Sequence, residues 1–399
     1  MLGASPGRTG HRSDAVKRSR GSDRLAGLFL LGGTLLFFAD VLWLGRVLLP
    51  LDNLVLYEPW RSALPPTVPQ NSLLSDALLQ NLVWRELARR ALQAGDWPLW
   101  NPWIVTGMPF LATGQPGLLY PPSLLFLVLP VLSAYGWYAA LHVFLTALGY
   151  YCFLRAQGVG LAAALVGGLT GGFGQYLLTA LIWPMVVGSV TWLPWLLLVT
   201  QRLVARAALE RARPADWLLV AATAGLIGLV LLAGHLEYAF YTLLVTAVFG
   251  LGESLAVVRA GGPARLLAVG WRLGLAALLG VGLSLGQLWP FLEVVRASAR
   301  QGLVTYGEVR GFALPLWQGL TFLLPDFFGN PSHHGVRDFW TGQWQPVQTN
   351  RLGQPTDPPQ TIFWGAKNYI EAAGYVGLVP LLVLPLALGH RQRRLALTA

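Results

Sequence analysis

Residues 75–122 read SDALLQNLVWRELARRALQAGDWPLWNPWIVTGMPFLATGQPGLLYPP. This stretch cannot cross a bilayer, because six prolines and three glycines between Trp97 and Pro122 deny the backbone a regular hydrogen-bond ladder. It is nevertheless dense in Trp, Phe and Tyr, with Asp76, Gln80, Glu86, Asp96, Asn101 and Gln115 set among them. A stiff loop with aromatic faces and a few carboxylate and amide groups suits a bound sugar or lipid headgroup. The apolar runs on either side make it an insertion between membrane segments.

Composition supports that division. With 54% hydrophobic residues, 12% charged residues and a mean hydropathy of +0.53, the chain belongs to the polytopic membrane class. Its net charge of +10 sits largely in clusters between apolar runs, which makes it a topology signal and argues against a nucleic-acid partner. The single cysteine, Cys152, lies inside an apolar run and excludes an intrachain disulfide.

Residues 1–24, rich in Gly, Ser and Arg, are expected to be a disordered basic tail on the cytoplasmic side. The run 25–49 follows as a retained first transmembrane helix, with Asp40 and Arg46 near its outer end. Further runs of about 20 residues cover 136–154, 161–180, 184–204, 217–233, 239–258 and 266–289, and 372–388 closes the series. The segment 118–132 is ambiguous. If it lies in the interface or re-enters, the basic tail, Arg155, the Arg-rich turns 201–214 and 259–272 and the final HRQRR all face the cytoplasm. The expectation is therefore an all-α bundle of about eight transmembrane helices with both termini inside. Residues 50–135 and 291–371 form two large extracytoplasmic loops, 136–290 is a six-helix bundle, and 372–399 carries the last helix and a basic tail.

In the first loop, Ser75 is placed to cap a helix that runs to Ala94 and stops at Gly95. Asp76 then sits in the first turn and Gln80 one turn on, along the same face. A carboxylate there can act as a general base or help hold a divalent cation such as Mg or Mn, with Glu58, Asp52 and Asp96 as further ligands; it can equally only stabilise the helix. Arg85, Arg89 and Arg90 give that helix a basic face suited to lipid headgroups. Trp97, Trp100 and Trp103 can stack on a sugar or form an interfacial belt.

The turn AGHLEYAFY places His235 and Glu237 beside Tyr238 and Tyr241, either as a ligand site or as a pair closing a helical hairpin. In the second loop, Glu293, Arg296 and Arg300 recur at helical spacing, and arginine can grip phosphate with two parallel hydrogen bonds. Asp326, His333, His334, Asp338, Arg351 and Lys367 follow in a Pro, Gly and aromatic setting.

The series YEPWR, SDALLQ, PLWNPWIVTGMPFLATGQPGLLYPPS, AGHLEYAFY, LPLWQGLTFLLPDFFGNP and FWGAKNYIEAAGYVGLVPLL resembles the bacterial YfhO family, in order, over about residues 49–388. That family is grouped with the GT-C glycosyltransferases. The resemblance implies transfer of a sugar, with inversion, from a polyprenyl-phosphate carrier to a glycopolymer, lipid or protein acceptor outside the bacterial inner membrane, without a nucleotide sugar. It implies a catalytic role for Asp76 and substrate contacts from Gln80, Trp100, Asn101, Gln115, His235, Glu237, Arg296 and Lys367, with Arg296 on the carrier phosphate. Members of the family usually continue into further spans, which implies a short member or a fragment. Two other classes compete: a flippase or transporter of a lipid-linked glycan, expected to carry polar residues through the membrane midplane and an internal repeat, and an assembly scaffold without chemistry.

Overall fold

The computed structural model describes residues 10–207, 209, 213–298, 304–311, 313–350 and 369–389. Helix α1 (Gly10–Phe37) begins inside the segment expected to be disordered. Its apolar half is held in place, since Ala26 and Leu30 are buried with Ala147 and Tyr151. Tyr151 Oη and Arg155 Nε both donate to the Asp23 carboxylate, Arg155 at 2.9 Å. The single helix expected over 25–49 is cut short: α1 ends at Phe37, α2 (Ala39–Leu42) adds a turn, and Gly45 redirects the chain at φ +76°. Asp40 and Arg46 pair with each other at 2.9 Å across this turn, both exposed.

Two short helices, α3 (Trp60–Ala63) and α4 (Val83–Gln93), lie in the first long loop, followed by the hairpin β1 (Trp100–Asn101) and β2 (Met108–Pro109), with Trp100 opposite Pro109. The ambiguous stretch 118–132 holds a 310 turn, Pro121–Leu124, the four-residue α5 (Leu125–Val128) and the first residues of the next helix, so it does not span by itself. Then come α6 (Val131–Ala156), α7 (Leu161–Gly172), α8 (Gln175–Thr179), α9 (Pro184–Val190), α10 (Leu193–Ala207), α11 (Pro214–Leu232), α12 (Leu236–Gly261) and α13 (Ala264–Ala297). The remainder comprises α14 (Tyr306–Gly311), the antiparallel pair β3 (Gly335–Arg337) and β4 (Trp344–Pro346), and α15 (Leu378–Gly389).

Five helical stretches among the described residues are long and apolar enough to cross a membrane: Val131–Ala156, Leu161–Ile182, Pro184–Ala207, Leu236–Ala260 and Ala264–Ala297. Asp216–Leu232 is a shorter apolar helix, and α15 has 12 residues where a span needs about 20. The protein is thus a helical protein of membrane type. Two of the five stretches are interrupted, one after Gly172 and one after Val190, where the backbone leaves α geometry before resuming.

The centre of the bundle is α6 with α9 and α10. In Val131–Ala156 and in Pro184–Ala207, 61% of the apolar window is buried, against 22% in α12 and α13. The outer pair therefore turns Phe240, Val248, Leu267 and Leu278 outward, as a lipid-facing surface requires. Where α7 crosses α6, small residues let the backbones touch: a Cβ at Gly172 would lie 2.5 Å from the Ala147 Cβ.

The one histidine in the middle of α6, His142, is buried and fully paired. Tyr120 Oη lies 2.8 Å from its Nε2, the Tyr138 carbonyl 2.7 Å from its Nδ1, and Trp192 Nε1 donates to Tyr120 Oη at 2.9 Å. Through Tyr120, this network ties the first long loop into the helix core.

Candidate functional site

The loop that carries Asp76 is assembled by a buried amide. Asn53 Nδ2 donates to the Asn71 carbonyl at 2.9 Å and to Ser75 Oγ at 3.2 Å, and the Asn71 side chain accepts from the Leu73 N–H at 3.1 Å. Ser75 is therefore not the expected helix cap; its hydroxyl turns back to the Ser72 carbonyl at 2.7 Å. After Asp76 the backbone takes π geometry over Ala77–Leu82 before becoming α4, and the helix ends as expected at Gly95, φ +84°. Such wide turns recur at functional sites because they re-aim side chains. Here Gln80 Nε2 approaches Asp76 Oδ1 at 3.4 Å, and Asn81 Nδ2 reaches the Asp76 carbonyl at 3.4 Å.

Arg85 does not face lipid headgroups as its helix pattern led us to expect. It is 3% exposed, donates to the Pro116 carbonyl and to Ser123 Oγ (3.2 Å), and lies 4.6 Å from the centre of the Phe126 ring. Burial pushes its guanidinium below the usual arginine range. This side chain clamps α4 to the loop at 116–126. Arg90 pairs with Glu86 at 2.6 Å on the exposed side.

The same loop meets the turn between α11 and α12 through glycines. A Cβ on Gly234 would lie 2.5 Å from the Gly114 carbonyl oxygen, and one on Gly117 would lie 2.8 Å from the Ala233 carbonyl oxygen. Gly114, Gly117 and Gly234 all have positive φ, so both contacts need glycine twice over. The backbones touch, and Gln115 and His235 are brought to one place.

That place is the wall of an open cleft of about 640 Å3. Asp76, Gln80, Asn81, Gln115 and His235 line it on the polar side, and Tyr176, Trp183 and Tyr238 on the aromatic side. His235 and Tyr238 meet edge to face at 4.7 Å, and Tyr176 and Tyr238 lie 6.2 Å apart. Ile370 and Glu371 close the rim. His235 immediately precedes α12; burial lowers its pKa, opposed by the Glu237 carboxylate. Its Nδ1 and Asn81 Oδ1 are buried without a hydrogen-bond partner.

The rim is fastened by the LPDFFGNP segment. Tyr369 Oη donates to Asp326 Oδ1 at 2.8 Å and receives Gln175 Nε2 at 3.1 Å, while Asn330 Nδ2 donates to the same Asp326 oxygen at 3.0 Å. Asp326 is thus an anchor for the second long loop. His333 stacks on Trp344 at 4.0 Å, and Asp338 accepts from the Trp340 N–H at 2.8 Å, so these residues shape the β3–β4 hairpin.

The other sequence candidates lie elsewhere. Asn101 is buried in the β1–β2 hairpin, where Oδ1 accepts from the Trp103 N–H at 3.0 Å. Trp100 covers Gly107 in the same hairpin, so neither reaches the cleft. Glu237 accepts from Tyr241 Oη at 3.1 Å and lines a smaller neighbouring cavity. Arg296 lies exposed near the end of α13 and lines neither cavity. Lys367 and Arg351 fall outside the described residues.

The metal expectation is not met by Asp76, Asp96 and Glu58. Asp96 follows the Gly95 turn at the far end of α4, and Glu58 accepts from Ser62 Oγ at 2.7 Å on an exposed turn. No group of three or more His, Cys, Asp or Glu able to hold a metal ion occurs among the described residues. Residues the sequence did not single out are Asn81 and Tyr176, which line the cleft, and Gln287, which lines the smaller cavity. A lone amide in the otherwise apolar GVGLSLGQLWP was the available signal for the last. Comparison with protein-family models, with curated proteins and with solved structures finds no match to this chain.

Proposed function

We propose that the protein is a membrane glycosyltransferase that moves a sugar from a polyprenyl-phosphate carrier to a cell-envelope acceptor. The observation that carries this reading is the cleft itself: the Asp76 carboxylate, three amides and an imidazole face three aromatic side chains in a space large enough for a sugar ring. Aromatic faces with a few placed polar groups suit a carbohydrate, which has apolar ring faces and hydroxyl edges. The motif resemblance to the YfhO family agrees with it.

In this mechanism Asp76 takes the proton of the acceptor hydroxyl as that oxygen attacks the anomeric carbon, and the lipid phosphate leaves with the bond electrons. Gln80, hydrogen-bonded to the Asp76 carboxylate, orients it. The polyprenyl phosphate is a good leaving group, so positioning contributes more than acid catalysis. The aromatic wall holds the ring.

The proposed setting is the bacterial inner membrane, with the cleft on the extracytoplasmic side, both termini in the cytoplasm and eight spans in all. The positive-inside rule supports this orientation. Arg155 and Arg206 lie at the C-terminal ends of α6 and α10, Arg206 about 30 Å along the chain of helix from Met185 at the cleft, and Arg272 lies about 22 Å of helix from Gln287 beside it. The test is complementation of a deletion strain with wild type and Asp76→Asn, reading envelope glycans by mass spectrometry. Loss of one sugar substituent in the deletion and the Asn strain, with the protein still in the membrane, is expected; full restoration by Asp76→Asn would sink the reading.

A further inference from the structure

Beside the cleft lies a second, smaller cavity of about 120 Å3. Gln115 and His235 line both, so the two spaces adjoin across these residues. Beyond them the small cavity is walled by Gln287, Glu237, Leu288 and Phe291. Its volume equals roughly four water molecules at about 30 Å3 each. The space is much the smaller of the two and suits an exocyclic arm of a ring held in the larger cleft.

The polar atoms there are short of partners. Gln287 is 2% exposed; its amide nitrogen donates to the Leu231 carbonyl at 3.3 Å, and its Oε1 has no hydrogen-bond partner. His235 Nδ1 is likewise buried and unpartnered. Leaving a buried acceptor without a donor is costly, so a ligand that supplies the donor is favoured. The two deprived groups are an amide and an imidazole. Glu237, the one carboxylate, is exposed and already accepts from Tyr241. A neutral hydroxyl therefore matches the deprived pair better than an ammonium, and Leu288 and Phe291 suit a methylene.

Resting on the glycosyl reading of the main cleft, we propose that this side cavity is a specificity pocket for the hydroxymethyl arm of a hexose, with Gln287 Oε1 accepting from its 6-hydroxyl. The ring stays against the aromatic wall while the arm passes between Gln115 and His235. Hexoses are selected over 6-deoxyhexoses and pentoses.

The test uses the full chain in lipid nanodiscs, avoiding glycoside detergents, and farnesyl phosphate carrying glucose or 6-deoxyglucose, with a galactose pair alongside. Affinity is read by thermophoresis. At least one hexose is expected to bind about tenfold or more tightly than its 6-deoxy counterpart, as an unpaired buried acceptor implies. Gln287→Leu, which removes the acceptor, should level the pair. Equal affinity of wild type for both members of each pair, or no binding of any, overturns the proposal and leaves the cavity to water. The wild-type comparison decides even if Gln287→Leu does not fold. Transfer is assayed on the same samples: a preference without transfer removes the transferase reading alone, and transfer without a preference removes this inference alone.

Discussion

The carbonyl oxygen of Gly114 sits where a side chain on Gly234 would have to begin, 2.5 Å from the ideal Cβ position. With φ +104° at Gly234, a side chain there is opposed both by local sterics and by the facing backbone. Gly234→Ala should therefore destabilise the protein by roughly 1–3 kcal/mol and pull Gln115 away from His235. Differential scanning fluorimetry should show a lowered unfolding temperature. Gly225→Ala, where nothing lies within 4 Å of the added methyl, should leave it unchanged or slightly raised.

Arg85 gives a second contrast. If it gripped lipid headgroups, its replacement would alter vesicle binding and leave stability intact. Buried under the loop, it instead satisfies the Pro116 carbonyl and Ser123. Arg85→Met should cost about 2–4 kcal/mol, since it strands buried acceptors. Arg85→Lys should recover little, because one ammonium cannot reproduce the guanidinium fork over Phe126. Thermal unfolding in nanodiscs checks both.

His235 sets a pH dependence whose sign follows from burial. Its pKa in the folded protein is lowered below the ordinary histidine value of about 6.5, despite the neighbouring Glu237. The unfolded chain then binds more protons than the folded one as pH falls through about 6.5. This contribution to stability is complete above that pH and is lost on acidification toward the folded pKa. Unfolding temperatures measured from pH 7.5 to 5 should fall more steeply for wild type than for His235→Gln. Equal slopes would mean that His235 is protonated alike in both states.

Five of the eight expected spans appear among the described residues as helices of membrane length, and these were legible because a long apolar run has few alternatives to a buried or lipid-facing helix. The run expected at 136–154 is α6 with one added turn at its start, and 266–289 lies within α13. The interruptions after Gly172 and Val190 were not legible, since apolar composition does not distinguish a continuous helix from a broken one. Asp76, Gln80, Gln115 and His235 each stood out singly, as polar groups in aromatic or apolar settings. Their meeting did not, because it depends on a backbone contact between glycines 120 residues apart in sequence. Arg85 was misread for a similar reason: an amphipathic pattern reports charge on a face, and nothing local reveals the carbonyl at Pro116 that the charge serves.

Asp76 and Asp96 separate catalysis from mere acidity. Both are exposed carboxylates of the first long loop, at opposite ends of one helical stretch, and only Asp76 lines the cleft. A general base contributes about 10²–10⁴-fold to rate. Asp76→Asn should therefore lower sugar transfer from a lipid-phosphate donor by at least about a hundredfold, while Asp96→Asn should stay within about twofold of wild type. Gln80→Leu should fall between them, because the carboxylate keeps its position but loses the amide that orients it. Transfer rates in reconstituted vesicles, normalised to protein folded by thermal unfolding, distinguish the three. If both Asn variants keep full rate, the acidic groups of this loop serve structure and the chemistry lies elsewhere. If Asp96→Asn alone is impaired, the proton acceptor is outside the cleft, and the aromatic wall loses its role in holding the reacting sugar.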